Sequence, residues 1–439
     1  MQRNPLSLLI FCGSLLLSGC GQTSSNNSID HAKAHAVKSE LQFEQGKYQL
    51  LRDGQPYFVK GGGGSGDMQL LKDSGGNSVR TWSTENAQQV LDNAQKHGLT
   101  VMMGLRMGKE RHGFDYDDKQ AVAEQKERIK QEVLKYKDHP ALLIWAIGNE
   151  LDLFYKNTNV WYAVEDIAKM IKQLDPNHVV TTVTAGVDKA KVQLIMQRVP
   201  SIDYLSVNTY GGLEALPQQL FDYGYNGAYL VSEWGPTGHW EVPKTDWGVP
   251  IEQTSTEKAA SYRFRYQGGI AGAPDRALGS YAFLWGQKQE TTPTWYGVFT
   301  ENGHPNEVVD SLQYLWTGQW PEHRAPSIAD YTINNKHALD SIHVKAGSIN
   351  KALVAINKNS ADKYQINWEI LPESTDIKSG GDRESRPQPV TGLFEKQGLD
   401  GSLDFRAPGQ SGGYRLFVSV LTEDNKVTNA NIPFYVDAE

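Results

Sequence analysis

Between Tyr57 and Trp316, short apolar runs alternate with longer amphipathic ones, and this alternation limits the fold more than any other feature of the chain. The runs Tyr57–Lys60, Asn77–Trp82, Thr100–Arg106, Ala141–Gly148, Val179–Thr184, Ile202–Asn208, Tyr229–Glu233 and Leu278–Trp285 read as strands. Between them, Asn86–His97, Gln120–Tyr136 and Trp161–Leu174 place apolar residues every three or four positions, the period of a helix face. A helix that carries the chain back across a sheet forces the flanking strands to pair in parallel. About 260 residues of this pattern is the usual size of a closed (β/α)8 TIM barrel, and an open doubly wound sheet would leave edges. The expected fold class is therefore α/β, with a (β/α)8 barrel over residues 41–325.

After Pro321 and Pro326 the helical period stops. Short strand signals follow at Ala352–Ile356, Tyr364–Leu371, Ser402–Phe405, Gly413–Leu421 and Ile432–Val436, with turns at Gly380-Gly381 and Gly412-Gly413. This predicts an immunoglobulin- or fibronectin-like β-sandwich over 326–439, with Trp368 and Tyr414 in its core. No catalytic constellation is visible in it, so it is expected to support the barrel, with direct ligand binding as the sharper alternative. Upstream, Tyr48–Leu51 and Tyr57–Lys60 flank Arg52-Asp53-Gly54-Gln55-Pro56, with turn chemistry at Asp-Gly.

The extreme N-terminus has Arg3, an apolar stretch Leu6–Leu17 too short to span a bilayer, and then Leu17-Ser18-Gly19-Cys20. This resembles a bacterial lipoprotein signal. The resemblance implies a signal peptide over 1–19, cleavage before Cys20, lipid on Cys20, and a flexible tether over 20–40. It also implies an exported protein held at a membrane, in the periplasm or at the cell surface, through its lipid alone. Cys12 and Cys20 are the chain's two cysteines, which excludes a disulfide framework or a cysteine metal site in the folded part.

A formal charge of -8 argues against a nucleic-acid partner, since no excess of cations is available to replace phosphate counterions. Gly61-x-Gly63-x-x-Gly66 follows a strand as a dinucleotide fingerprint would. The next strand, however, ends in Arg80 and Trp82, where the ribose needs an acidic residue. The glycines are instead expected to let backbone pass close at the barrel rim. No P-loop, zinc helix or serine elbow stands in its proper context, and Asp115, Asp117 and Asp118 are too irregular for a calcium loop. No cofactor and no metal are expected, and the chain is expected to act as a monomer.

Chemistry in a parallel barrel collects where strands end. The fourth strand delivers Asn149-Glu150 at its tip, and the seventh, in Ser232-Glu233-Trp234-Gly235, delivers Glu233. Glycosidic hydrolysis needs such a pair, one carboxyl to protonate the leaving oxygen and another to meet the charge growing at the sugar carbon. Here the sequence resembles the clan A glycoside hydrolases, retaining enzymes with an acid/base glutamate after Asn on the fourth strand and a nucleophile ending the seventh. The barrel is most similar to that of glycoside hydrolase family 2.

The resemblance implies a retaining glycosidase acting on the β-glycosidic bonds of an oligo- or polysaccharide, with Glu233 as nucleophile and Glu150 as acid, then base. It places Arg80 near the nucleophile, Tyr210 on that carboxylate, and Trp285 under the sugar as a platform. Asn149 would hold a sugar hydroxyl, and Asn208 stands where many relatives have His. Trp234, Trp240 and Trp295 are further candidates for sugar contact, because aromatic faces stack on pyranose rings. Trp247 and Tyr296 share those loops, and Arg106, Lys109, Glu110, Arg111 and His112 could reach the same mouth. The carboxyl groups should lie about 5 to 5.5 Å apart, against roughly 6.5 to 9.5 Å for inversion. Glu233 should stay ionised while burial and its neighbour's charge keep Glu150 protonated. Fewer than 40 residues separate Cys20 from the first strand, so the jelly-roll and immunoglobulin-like domains that normally precede such a barrel are not expected. Two alternatives remain open, a transglycosylase on β-glucan-type chains and a carbohydrate-binding barrel without catalysis.

Overall fold

The computed structural model describes residues 35–64, 66–357, 359 and 363–438. Cys20, the signal peptide and most of the expected tether lie outside them. Eight parallel strands close on themselves in chain order: Val59–Gly63, Ser78–Arg80, Thr100–Leu105, Leu142–Ile147, Val179–Ala185, Tyr204–Asn208, Tyr229–Trp234 and Ala277–Phe283. The eighth pairs with the first, Tyr281 opposite Gly61. Helices including Ala87–Lys96, Lys119–Tyr136 and Val160–Leu174 follow their strands within one residue of the periodic runs. Side-chain caps hold several helix starts, as where Asp118 accepts from the amides of Gln120 and Ala121.

The first strand begins two residues later than its sequence suggests and runs into glycines, which are poor strand formers. Close packing explains this. A Cβ at Gly61 would lie 2.2 Å from the Tyr281 ring, and one at Gly62 would lie 2.7 Å from Trp285 Cβ, so only bare backbone fits there. The glycine run is thus barrel closure.

An antiparallel hairpin, Ser39–Glu44 with Lys47–Arg52 and then Gln55-Pro56, lies under the barrel. Its first strand starts inside the range read as tether, because alternation in Ser39–Glu44 is too weak a signal until its buried side is known. Leu50 packs with Val59, Leu143, Val179 and Tyr281 at the foot of the barrel, and the Ser39 amide donates to Asn177 O at 2.7 Å.

The C-terminal region is a sandwich of two four-stranded sheets. One contains Ser327–Ile333, Ile349–Asn357, Ser402–Arg406 and Phe394–Gln397, and the other Ile342–Lys345, Val427–Asp437, Gly412–Thr422 and Tyr364–Pro372. Val354, Leu403, Phe405, Leu416, Val418 and Phe434 fill the space between them. Tyr414 belongs to this core, and Trp368 packs at its edge. Three strands, 327–333, 342–345 and 394–397, have no clear sequence signal. Between the domains lies a buried polar seam. Glu252 pairs with Lys258 and accepts from Thr292 and Asn431, while Arg415 reaches Pro250 O, Glu373 and Asn431. Among the described residues no helix is long and apolar enough to cross a membrane.

Candidate active site

The fourth strand is buried throughout, Leu142–Ile147, and then breaks. Gly148 and Glu150 both take the left-handed conformation, φ 68° and 51°. For a glutamate this costs on the order of 1 kcal/mol and needs surroundings that hold it there. The amide of Glu150 donates to Val183 O, which fixes the turn and aims the side chain over the barrel. On the seventh strand, Glu233 faces inward. Both glutamates line one cavity of about 770 Å³ at the C-terminal mouth, together with Trp82, Asn149, Tyr210 and Trp240.

Three donors converge on Glu233, which is only 5% exposed. Arg80 Nη1 and Trp82 Nε1 donate to its Oε1 at 2.9 and 2.7 Å, and the Tyr210 hydroxyl donates to Oε2 at 3.0 Å. Arg80 also stacks on the Trp82 ring, 5.2 Å to its centre. An arginine can only donate, and this fixes the orientation of the neighbouring amides. Arg80 Nη2 donates to Asn149 Oδ1 at 2.6 Å, so Asn149 Nδ2 is the donor end of a side chain that lines the cavity, and no acceptor meets it among the described residues. Asn208 Oδ1 accepts from Ser232 Oγ and from Arg80, so its Nδ2 is a donor, and it reaches Glu150 Oε1 at 3.0 Å.

The two glutamates sit in unlike environments. Burial of its carboxyl, reinforced by the charge of Glu233, pushes Glu150 up to about 7. Asn208 and the Lys109 ammonium pull the other way and do not cancel it. A carboxyl poised near neutrality beside an ion-paired carboxylate is the pattern of an acid working with a nucleophile. Burial also drives the Tyr210 hydroxyl well above its ordinary range, so it stays a donor.

The structure separates the other candidates. Arg80 and Asn208, which were candidates for the substrate site, do not line the cavity; Arg80 holds Glu233, and Asn208 holds Glu150. Trp240 does line it, 57% exposed, with its ring edge-on to Tyr210 at 5.7 Å. Three tryptophans do not. Trp234 follows inward-facing Glu233, and successive strand side chains point to opposite faces, so it packs outward on Tyr262 and Tyr266. Trp285 folds back over the glycines of the first strand, donates to Asp67 O and packs on Phe299. Trp295 is buried and donates to Thr237 O. Trp247 lies against His343 and Tyr435 of the sandwich, and Tyr296 packs behind Tyr210.

Sequence reading passed over Trp82, although its place two residues beyond Arg80 at a strand tip was a usable signal. It also passed over Lys288, Glu290 and the sandwich residues Gly380, Gly381 and Asp382, all of which line the cavity. No local pattern marks those. Lys109, Arg106 and His112 do reach the mouth.

Comparison with known proteins points the same way. A family model described as glycosyl hydrolases family 2, TIM barrel domain, matches residues 65–235. A β-glucuronidase from Felis catus is 22% identical over 325 residues, 66% of this chain and 45% of the relative. One from Paenibacillus borealis is 25% identical over 288 residues, 58% and 46% respectively. A mannan endo-1,4-β-mannosidase F from Aspergillus clavatus is 29% identical over 143 residues, 28% and 33%. Among solved structures, the Bacteroides uniformis β-glucuronidase aligns over 92% of this chain and 49% of its own with a TM-score of 0.52 at 14% identity, a likeness of fold. The chain spans about half the length of the β-glucuronidases it matches. Its barrel, carrying both glutamates, is similar to the TIM barrel domain of glycosyl hydrolases family 2.

Proposed function

We propose that this protein is a retaining glycoside hydrolase that cleaves β-glycosidic bonds of an oligo- or polysaccharide by double displacement. The observation that carries this reading is the shared cavity of Glu150 and Glu233, with Glu150 raised to about 7 and Glu233 ion-paired with Arg80. Oε1 of Glu233 is taken up by Arg80 and Trp82. Oε2 carries only the Tyr210 hydroxyl and keeps a lone pair for the anomeric carbon. As that bond forms, Glu150 gives its proton to the glycosidic oxygen and the leaving sugar departs. Glu150, now a carboxylate, takes a proton from water, whose oxygen attacks the same carbon and frees Glu233. The net configuration is unchanged. Asn149 Nδ2 is placed to donate to a hydroxyl beside the reacting carbon.

A screen on aryl β-glycosides and β-glucans, with the first released anomer followed by NMR, tests this. Release of the α-anomer first from a β-substrate would remove the retaining mechanism. Glu233→Ala should abolish turnover, with azide restoring part of it as a glycosyl azide. The names of the relatives make β-glucuronides and β-mannans sensible members of the screen. We also propose export and anchoring through lipid on Cys20, supported by Leu17-Ser18-Gly19-Cys20. Labelled palmitate should enter the wild-type protein and not Cys20→Ser.

A further inference from the structure

The sandwich does more than brace the barrel: its segment Ser379–Glu384 crosses the mouth of the cavity. Gly380, Gly381 and Asp382 line the space that both glutamates face. The segment is tied down on two sides. From the loop after the third strand, Arg111 donates to Ser379 O at 2.8 Å, to Gly380 O at 3.3 Å, and to both carboxylate oxygens of Asp382 at 3.3 and 3.0 Å. The Arg111 side chain is buried, and every one of its hydrogen bonds goes to this segment. His112 Nε2 lies 2.8 Å from Asp382 Oδ2. From the loop after the eighth strand, Lys288 donates to Gly381 O at 2.9 Å and the Thr291 amide to Glu384 Oε2 at 2.6 Å. Both terminal nitrogens of this guanidinium donate to one segment, which gives bidentate, direction-specific anchoring rather than a loose surface contact.

We propose that Ser379–Glu384 is a specificity-determining wall of the saccharide site, held by the Arg111–Asp382 latch, which touches sugar units beyond the one bonded to Glu233. The proposal rests on the glycosidase reading. The ligand class is a β-linked chain of at least two sugars. Two consecutive glycines, φ 63° and 72°, make the turn that lines the cavity, and a Cβ at Gly380 would lie 2.5 Å from Leu153 Cδ2 and 2.8 Å from Arg111 Nη2, so bare backbone is what lets the wall seat this closely on its latch. Asp382, engaged by Arg111 and His112, acts by positioning this backbone.

The test measures kcat/KM for wild type, Asp382→Ala, Arg111→Ala and the double variant on two substrates: the aryl β-glycoside that wild type cleaves best, and a β-linked oligosaccharide of the same sugar. Each single variant should lose about tenfold or more on the oligosaccharide and less than about threefold on the aryl glycoside. The double variant should lose no more than either single one, because both remove the same latch. Equal losses on both substrates, or no loss on either, would overturn the proposal. If Asp382→Ala does not fold, Asp382→Asn and the barrel-side Arg111→Ala carry the same comparison. A wild-type protein that cleaves no glycoside at all would instead sink the glycosidase reading on which the proposal stands.

Discussion

Glu150 and Glu233 differ less in kind than in what surrounds them. Glu150 is raised to about 7, and if it serves as the proposed acid, kcat/KM should fall about tenfold per pH unit above that value, a limb seen directly in a pH–rate profile. The sign of the coupling gives a sharper check. Since the charge of Glu233 helps raise Glu150, Glu233→Gln removes that repulsion, and titration of the Glu150 carboxyl followed by NMR should move down; no movement would mean that the two groups do not interact. Trp82→Phe replaces the indole with a smaller aromatic ring and deletes the N–H on Glu233 Oε1. A hydrogen bond to a charged group is worth about 1.5–3 kcal/mol, so kcat should drop about 10- to 100-fold with the fold intact by circular dichroism. The paired glutamates were legible in the sequence because each stands where a buried run stops abruptly. Of the groups that hold them, Arg80 and Tyr210 were placed beside Glu233 by the family resemblance, whereas the bonds of Asn208 and Trp82 to the carboxylates left no such mark.

At the scale of single elements, alternation along the seventh strand sends Glu233 into the barrel and Trp234 out to Tyr262 and Tyr266. Trp234→Ala should therefore cost about 3–5 kcal/mol in a denaturant melt through the cavity it leaves, while KM changes little. A raised KM with little loss of stability would return Trp234 to the substrate. The strand and helix periods placed all eight barrel strands, and they missed the glycine-rich part of the first because propensity argues against a strand there. Trp285 and Tyr281 require bare backbone at that spot, and contacts so distant in sequence leave no local trace.

At the scale of the whole molecule, the seam between barrel and sandwich contains Glu307, buried with Thr256, Ser255 and Thr428 around its carboxylate. Burial raises it to about 7. A carboxyl raised in the folded state binds more protons there than in the unfolded chain, so stability falls as pH rises from about 4.5 through 7 and is not regained above. Glu307→Gln cannot ionise and should be more stable than wild type at pH 8 by on the order of 2–3 kcal/mol, with little difference at pH 4. Equal melting at both pH values would remove Glu307 from the account. The seam also explains why the second domain reads as a support in sequence and yet enters the cleft. Five of its strands announce themselves by alternation, whereas the reach of residues 379–384 depends on how two domains dock.

By itself the sequence determined the barrel, the sandwich and the two strand tips that carry glutamate, because those follow from periodicities of two and 3.6 set by backbone hydrogen bonding within a few residues. Only the tertiary structure decided which tryptophans meet the cavity, that Asn208 and Trp82 join Arg80 and Tyr210 in holding the carboxylates, and that Asp382 of the second domain meets Arg111 of the first. Those outcomes depend on packing between segments up to 271 residues apart, where no local pattern can record which side chain faces which.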